Sequence, residues 1–272
     1  QMCIRDRLVA VMFPSIMEER GTFLGALGHS IFMAVSTFNN AGFVIIGPDL
    51  TPFVGNWAIS LPIILGTVAG AIGFPVIHNI AHNLRSPKRW SLHTKITVVT
   101  YVALWVAGIV MVAAFEWNGA FSDLTTNEKV LASFFQGTTP RSSGMSTVDI
   151  GSLSEATWFV MDALMFIGAG SASTGGGIKV TTFAVLLLAI VAEARGDRDT
   201  EAFGKRIPPD VIRLSISAAF LGAFLVGTST LIILQQSDFP LSRVLFDVIS
   251  AFATCGLSTG ITADLPDSAK LI

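Results

Sequence analysis

The sequence predicts an all-α integral membrane protein, assembled from repeated units of span, re-entrant pore helix, glycine-centred loop and span. Composition and run length predict the class, and an internal alignment predicts the repetition. Of 272 residues, 51% are hydrophobic and only 13% charged, against roughly 25% charged in a soluble domain. Several apolar runs reach the roughly 20 residues that cross a bilayer as a helix. Between these runs, three glycine-centred segments match one another column by column.

In chain order, residues 8–13, "LVAVMF", read as the tail of a span. Candidate spans follow at 54–80, 96–115, 157–194 and 212–234, each bounded by polar or charged residues and the third broken by glycines. After the first comes "HNLRSPKRWSLHTK", with Arg85, Lys88, Arg89 and Lys95; after the third come Arg195, Arg198, Lys205, Arg206 and Arg213. Basic residues accumulate in cytoplasmic loops, so these loops are expected inside. The opposite loops carry Glu18, Glu19, Glu116 and Asp123 and are expected outside. A net charge of −2 gives no sign of nucleic-acid binding. Cys3 and Cys255 lie far apart and predict no disulfide framework. The opening "QMCIRDR" lacks the apolar core and cleavage site of a signal peptide, and "DSAKLI" closes no element. Both ends are therefore expected to be cut edges of a longer chain.

The three segments read "FMAVSTFNNAGFVI", "FFQGTTPRSSGMST" and "FDVISAFATCGLST", aligned on Gly42, Gly144 and Gly256. Each has a phenylalanine ten residues earlier (Phe32, Phe134, Phe246) and a hydroxyl six earlier (Ser36, Thr138, Ser250). A large apolar residue comes directly after (Phe43, Met145, Leu257). The stretch before each glycine is too short to span and is expected to be re-entrant. The loop after it is non-helical, and irregular backbone at membrane depth is tolerated only when buried in protein or lining a watery path. Glycine lets the chain enter positive φ and turn successive carbonyls one way, which is how carbonyl oxygens replace an ion's hydration shell. Further along, "IGAGSASTGGGIKV" places five glycines in residues 167–180, each costing a helix roughly 0.8–1.0 kcal/mol relative to alanine. From the residues alone, that interruption is either a functional loop or a kink where helices pack closely.

Four motifs in order, "STFNNAGF", "TPRSSGMSTVD", "GAGSASTGGGIKVTTF" and "SAFATCGLSTG", resemble the Trk/Ktr/HKT superfamily of potassium transporters. The pore subunits of that family join four span, pore-helix, span repeats around one pseudo-fourfold pore. The resemblance runs from residue 8 onward and matches the second to fourth repeats, so three of the four filter loops are present. It divides the chain into 1–82 (second repeat), 92–195 (third, with an interrupted second span) and 210–272 (fourth, truncated after its filter loop).

What the resemblance implies is potassium uptake across the cytoplasmic membrane, with the filter loops facing outside. The ion-coordinating filter it assigns is Asn40, Ala41, Gly42, Phe43; Ser142, Ser143, Gly144, Met145; and Thr254, Cys255, Gly256, Leu257, acting mainly through backbone carbonyls. In this family a serine at a filter glycine goes with sodium permeation, and all three positions here are glycine. The interruption resembles the family's intramembrane gating loop, so Gly168, Gly170, Ser171, Ser173, Thr174, Gly175, Gly176, Gly177 and Lys179 are its expected gate. The implied partners are a second pore subunit in a homodimer, cytoplasmic nucleotide-binding regulatory subunits (TrkA/KtrA-like) and the lipid bilayer. Potassium is the transported ion, no cofactor is expected, and the protein is expected not to be an enzyme.

Other residues admit rival readings. The gate segment is not a phosphate-binding loop, which needs lysine and then Ser or Thr directly after its second glycine; Lys179 is followed by valine. Lys179 either holds the loop closed or snorkels to the cytoplasm. Arg141, three residues before Gly144, is expected to tether its loop to an acid such as Asp149. Asp49, Asp149 and Asp264 either concentrate cations at the outer mouth or are solvated loop acids. His78 and His82 share a helical face at i, i+4, a spacing found in zinc enzymes, and leave one alternative: a membrane-embedded metal-dependent enzyme. No glutamate lies between them, and the nearby Arg85 and Lys88 favour a cytoplasmic-interface role.

Overall fold

The computed structural model describes residues 2–47 and 49–270, the side chains of Met2, Cys3, Arg20 and Asp267 apart. A cross-link through Cys3 thus falls outside the described residues, while Cys255 is a buried free thiol. The fold is helical, as the composition predicted. Helix α1 covers Met2–Arg20. It turns at Gly21 (φ 67°) into α2, Phe23–Phe38. Helix α2 buries Ala26, Ser30, Met33, Ala34 and Thr37, the spacing of one helical face.

The run at 54–80, read as a single span, is two helices. Helix α3 covers Trp57–Ile72, with Asn56 capping it by accepting from the Ala58 and Ile59 N–H groups. Helix α4, Phe74–His82, leaves it at a 96° bend. The break is Gly73, whose φ of 98° lies outside helical space, with Pro75 in the first turn of α4, where a missing N–H is harmless. Hydropathy alone could not register a change of direction at a glycine with apolar neighbours, Ile72 and Phe74, on both sides.

Helix α5, Leu92–Glu116, starts at the Ser91 cap. Helix α6, Thr126–Thr138, starts at a capping box between Thr125 and Glu128, two orphan N-terminal donors being satisfied reciprocally. Helices α5 and α6 cross so closely that a Cβ on Gly137 would lie 2.6 Å from the Ile109 Cα, as small residues permit at helix contacts in membranes. The interrupted span resolves into α7, Glu155–Phe166, and α8, Val180–Arg195, joined by a non-helical segment. A short antiparallel hairpin, Glu201–Ala202 with Lys205–Arg206, was not anticipated. Helices α9, Pro209–Gln236, α10, Leu241–Phe252, and the single turn α11, Asp267–Lys270, complete the order.

Helices α5 and α9 are each long and apolar enough to cross a bilayer, and α3 with α4 qualifies as a bent pair. Their outer faces show Val99, Val110, Leu214 and Phe220, at 57%, 59%, 71% and 73% exposure. A water-facing surface avoids such a contiguous apolar skin; a lipid-facing one is built from it. Inside, one cluster gathers Met33, Ile63, Leu131, Phe135 and Met145, and another Trp158, Met161, Phe246, Ile249 and Leu257. The three predicted filter loops lie where these clusters meet.

Candidate functional site

Each predicted filter loop begins where a helix ends, and all three share one backbone device. Asn40 and Gly42 have φ of 52° and 77°, Ser142 and Gly144 80° and 71°, Thr254 and Gly256 50° and 89°. Left-handed backbone at a residue and again two positions on makes the chain alternate in hand, so intervening carbonyls turn toward a common side. The first of each pair is not glycine, and left-handed backbone is uncommon for such residues. Its recurrence at three equivalent positions is the strongest structural sign of a shared task. Sequence reasoning named Asn40, Ser142 and Thr254 among the filter residues without anticipating their left-handed backbone, although Asn is among the non-glycine residues that visit that region.

The loops converge on their glycines. A Cβ on Gly144 would stand 2.1 Å from the Cys255 carbonyl oxygen and 3.2 Å from the Gly42 Cα; one on Gly42 would stand 3.1 Å from the Ser143 carbonyl oxygen. Ser142 Oγ donates to the Ala253 carbonyl at 3.2 Å, and Thr67 Oγ1 to Ser143 Oγ at 3.2 Å. The Ala41 N–H reaches the Ser36 carbonyl at 2.9 Å and the Cys255 N–H the Ser250 carbonyl at 2.8 Å. The Cys255 thiol donates to the Thr139 carbonyl at 3.4 Å.

The aligned columns are not fully equivalent in space. Ser36 Oγ donates to the Phe43 carbonyl at 2.8 Å, but in the second loop Thr139, not Thr138, binds the matching Met145 carbonyl. The 3-10 turn Thr139–Arg141 inserted after α6 shifts the hydroxyl by one residue, and Thr138 instead accepts from Trp105 Nε1 at 2.8 Å. Met145 and Leu257 are buried, as expected, whereas Phe43 is 67% exposed.

Beneath these loops lies the glycine-rich segment, touching all three. Asn40 Nδ2 donates to Thr174 Oγ1 at 2.9 Å. A Cβ on Gly175 would meet Ser142 Oγ at 2.7 Å, and one on Gly176 the Ala253 carbonyl oxygen at 2.5 Å. The segment also closes on the α3–α4 break. The Gly170 N–H donates to the Ala71 carbonyl at 2.8 Å, Phe74 N–H to the Ala172 carbonyl at 3.4 Å, and Thr174 N–H to the Gly70 carbonyl at 3.4 Å. Gly168 and Gly177 take φ of 50° and 72°. Lys179 Nζ donates to the Gly175 carbonyl at 2.6 Å, and Ser171 Oγ lies 2.8 Å from Thr181 Oγ1. Ser173 Oγ is buried without a partner among the described residues.

Arg141 does not reach Asp149. It is fully buried, its guanidinium 4.5 Å from the centroid of the equally buried Tyr101 ring, and its N–H groups find no acceptor among the described residues. The negative face of the ring is the counter-charge present. Asp149 instead caps its own turn, accepting from the Gly151 N–H at 2.9 Å. Asp49 and Asp264 are exposed. His78 and His82 stack at 4.3 Å on α4, and among the described residues no group of three or more His, Cys, Asp or Glu is arranged to hold a metal ion. Two acids organise the site's flanks, Asp247, which sequence reading passed over, and Glu116, which it placed only at the outer end of a span. Asp247 accepts from Ser258 Oγ, the Thr259 N–H and Thr262 Oγ1 at 2.8, 2.9 and 2.6 Å, and buried Glu116 joins α5 to the start of α7 through Ser154 and Thr157.

Residues 8–272 match the family described as TrkH, cation transport protein. Ktr system potassium uptake protein D of Bacillus subtilis (strain 168) is 39% identical over 247 residues, covering 90% of this chain and 55% of that protein. Ktr system potassium uptake protein B of the same organism is 37% identical over 274 residues, covering 99% and 61%. The chain thus spans little more than half the length of these relatives. The crystal structure of the potassium transporter TrkH from Vibrio parahaemolyticus shares the fold, with a TM-score of 0.69 at 16% identity, over 98% of this chain and 63% of that one.

Proposed function

The chain belongs to the TrkH family of cation transport proteins, and from that premise we propose that it takes up potassium through a filter of backbone carbonyls. The coordinating loops are residues 40–43, 142–145 and 254–257, with residues 168–179 as the gate. The observation that carries this reading is the paired left-handed backbone at Asn40/Gly42, Ser142/Gly144 and Thr254/Gly256. A cation entering a pore must shed water, and oxygen dipoles fixed in advance replace that shell without reorganising. Side chains are then free to differ between loops, as Ala41, Ser143 and Cys255 do. The fourfold plan of the family assigns the remaining side of the ring to a loop outside these residues. The membrane in question is the cytoplasmic one, with the filter loops facing out and the basic loops facing in.

The gate acts by lying across the path. Its hold is a small number of hydrogen bonds, among them Asn40 to Thr174 and the Gly170 N–H to the Ala71 carbonyl. A neutral bond contributes about 0.5–1.5 kcal/mol net. Allosteric coupling typically supplies about 1–3 kcal/mol, so a partner on the cytoplasmic side has enough leverage to shift the loop. This fits a homodimer of pore subunits served by cytoplasmic nucleotide-binding regulatory subunits. No residue set in the site suits catalysis, and the family is one of transport proteins rather than enzymes.

Rubidium uptake by the transporter as its cell makes it, expressed in potassium-starved cells lacking other uptake systems, tests the function. Uptake above the empty-vector level is expected. Deleting residues 168–177 is expected to raise flux; a well-inserted deletion with unchanged or lost flux removes the gate assignment.

A further inference from the structure

We propose that helix α4 and the basic loop after it form a binding site for the phosphate headgroups of anionic phospholipids. The inference rests on the membrane reading above and concerns residues outside the proposed filter and gate. The 96° bend at Gly73 turns α4 away from the direction of α3. A helix of nine residues is too short to cross a bilayer and is suited to lying in the interface. It carries exposed Phe74, and Leu84 follows it at 70% exposure. Both are apolar anchors beside a run of cations.

The charge pattern of this region is one-sided. No aspartate or glutamate occurs between Asp49 and Glu116, while Arg85, Lys88, Arg89 and Lys95 all fall in that interval. Arg85, Lys88 and Arg89 are exposed and make no ion pair among the described residues. On the hairpin that approaches Lys95 through Phe203, at 5.9 Å, Asp199 is already held by Arg206 at 2.8 Å. Four clustered cations beside a membrane segment attract anionic lipid. A soluble anion would be met equally by scattered cations; here exposed Phe74 and Leu84 lie at the two ends of the short helix that leads into the cationic loop, which favours a lipid-borne phosphate.

The loop is built to hold that arrangement. Trp90 Nε1 donates to the Asn83 carbonyl at 3.2 Å and the Ser91 N–H to Asn79 Oδ1 at 3.2 Å. A 3-10 turn at Pro87–Arg89 lies between them. Between α4 and α5 a hollow of about 400 Å³ is lined by His78, Asn79, Ser91 and His93 among others. Its imidazole, amide and hydroxyl groups offer hydrogen bonds to phosphate oxygens at the foot of the cationic loop.

The test is native mass spectrometry of the purified transporter, titrated with phosphatidylglycerol or phosphatidylcholine. Wild type is expected to retain phosphatidylglycerol preferentially. The Arg85→Gln/Lys88→Gln/Arg89→Gln variant is expected to lose that preference by about one to two orders of magnitude in affinity. Arg195→Gln/Arg198→Gln, which removes charge elsewhere, is expected to keep it. Equal retention by wild type and the triple variant overturns the site, as does displacement of the lipid by millimolar inorganic phosphate. A triple variant that binds lipid normally but no longer captures the cytoplasmic regulatory subunits also overturns it, in favour of a protein-docking loop. Rubidium flux of the wild type in the same lipids speaks to the transport reading alone: lipid selectivity without flux leaves this site standing and removes that reading.

Discussion

The Asn40 side-chain amide donates to the Thr174 hydroxyl at 2.9 Å, joining the first filter loop to the segment beneath it. The two residues are far apart in sequence, and Asn40 is also one of the left-handed backbone positions. One residue thus shapes the loop and ties it to its closure.

Thr174→Val removes the acceptor while keeping the side chain's shape, leaving a buried amide unpaired in the closed arrangement. That costs about 1 kcal/mol or more, so flux of rubidium into vesicles is expected to rise about fivefold or more. Flux equal to wild type would show that this contact does not hold the loop.

Gly144→Ala and Gly256→Ala are each expected to impair uptake strongly. Both residues have positive φ, where left-handed backbone costs a non-glycine residue roughly 1–2 kcal/mol, and a Cβ on Gly144 would also lie 2.1 Å from a carbonyl oxygen. Uptake normalised to protein in the membrane checks both, and normal uptake by either variant would count against the place of that glycine in the proposed filter.

Cys255→Ala is expected to retain most transport and stability. The bond the thiol donates is a weak one, to the Thr139 carbonyl, and the backbone that forms the loop is unchanged. Loss of uptake with normal insertion would assign the sulfur a role of its own.

Glu116→Ala is expected to lower the melting temperature in detergent strongly. The carboxylate is 1% exposed and accepts from the Ser154 N–H and hydroxyl, the Thr157 hydroxyl and the Ala120 N–H. Bonds to a charged group contribute about 1.5–3 kcal/mol each, so the loss is expected to be about 3 kcal/mol or more. Glu116→Gln, which keeps an acceptor, is expected to fall between; a neutral effect of Glu116→Ala would deny that this junction is structural.

Glu128 gives a pH dependence. The Thr125 N–H and then its hydroxyl hold the exposed Glu128 carboxyl below its ordinary value. A group depressed in the fold adds stability above its unfolded value and loses it as pH falls through the folded one. Wild type is therefore expected to melt above Glu128→Gln at neutral pH, with the gap closing in acid. A gap that stays constant into acid would separate the effect from ionisation.

Helices and glycine loops were legible because apolar run length and side-chain size are properties of residues taken in order. The turn at Gly73 was not, since its neighbours are apolar on both sides and only the backbone angle differs. Arg141 was misassigned to Asp149 because proximity in sequence favours a short reach; Tyr101, a whole helix away, is brought beneath it by the packing of α5. The hydroxyl column was misread at Thr138 because a 3-10 turn offsets the second loop by one residue.

Gly73 has one more consequence. The Phe74 N–H bonds the Ala172 carbonyl, and a Cβ on Gly73 would lie 2.5 Å from the Ser171 carbonyl oxygen. Helix α4 and the glycine-rich segment are therefore in mechanical register: a displacement of α4 either breaks that contact or carries the segment with it. In the function proposed above, the short helix is a lever whose fulcrum is a single residue and whose load is the proposed gate.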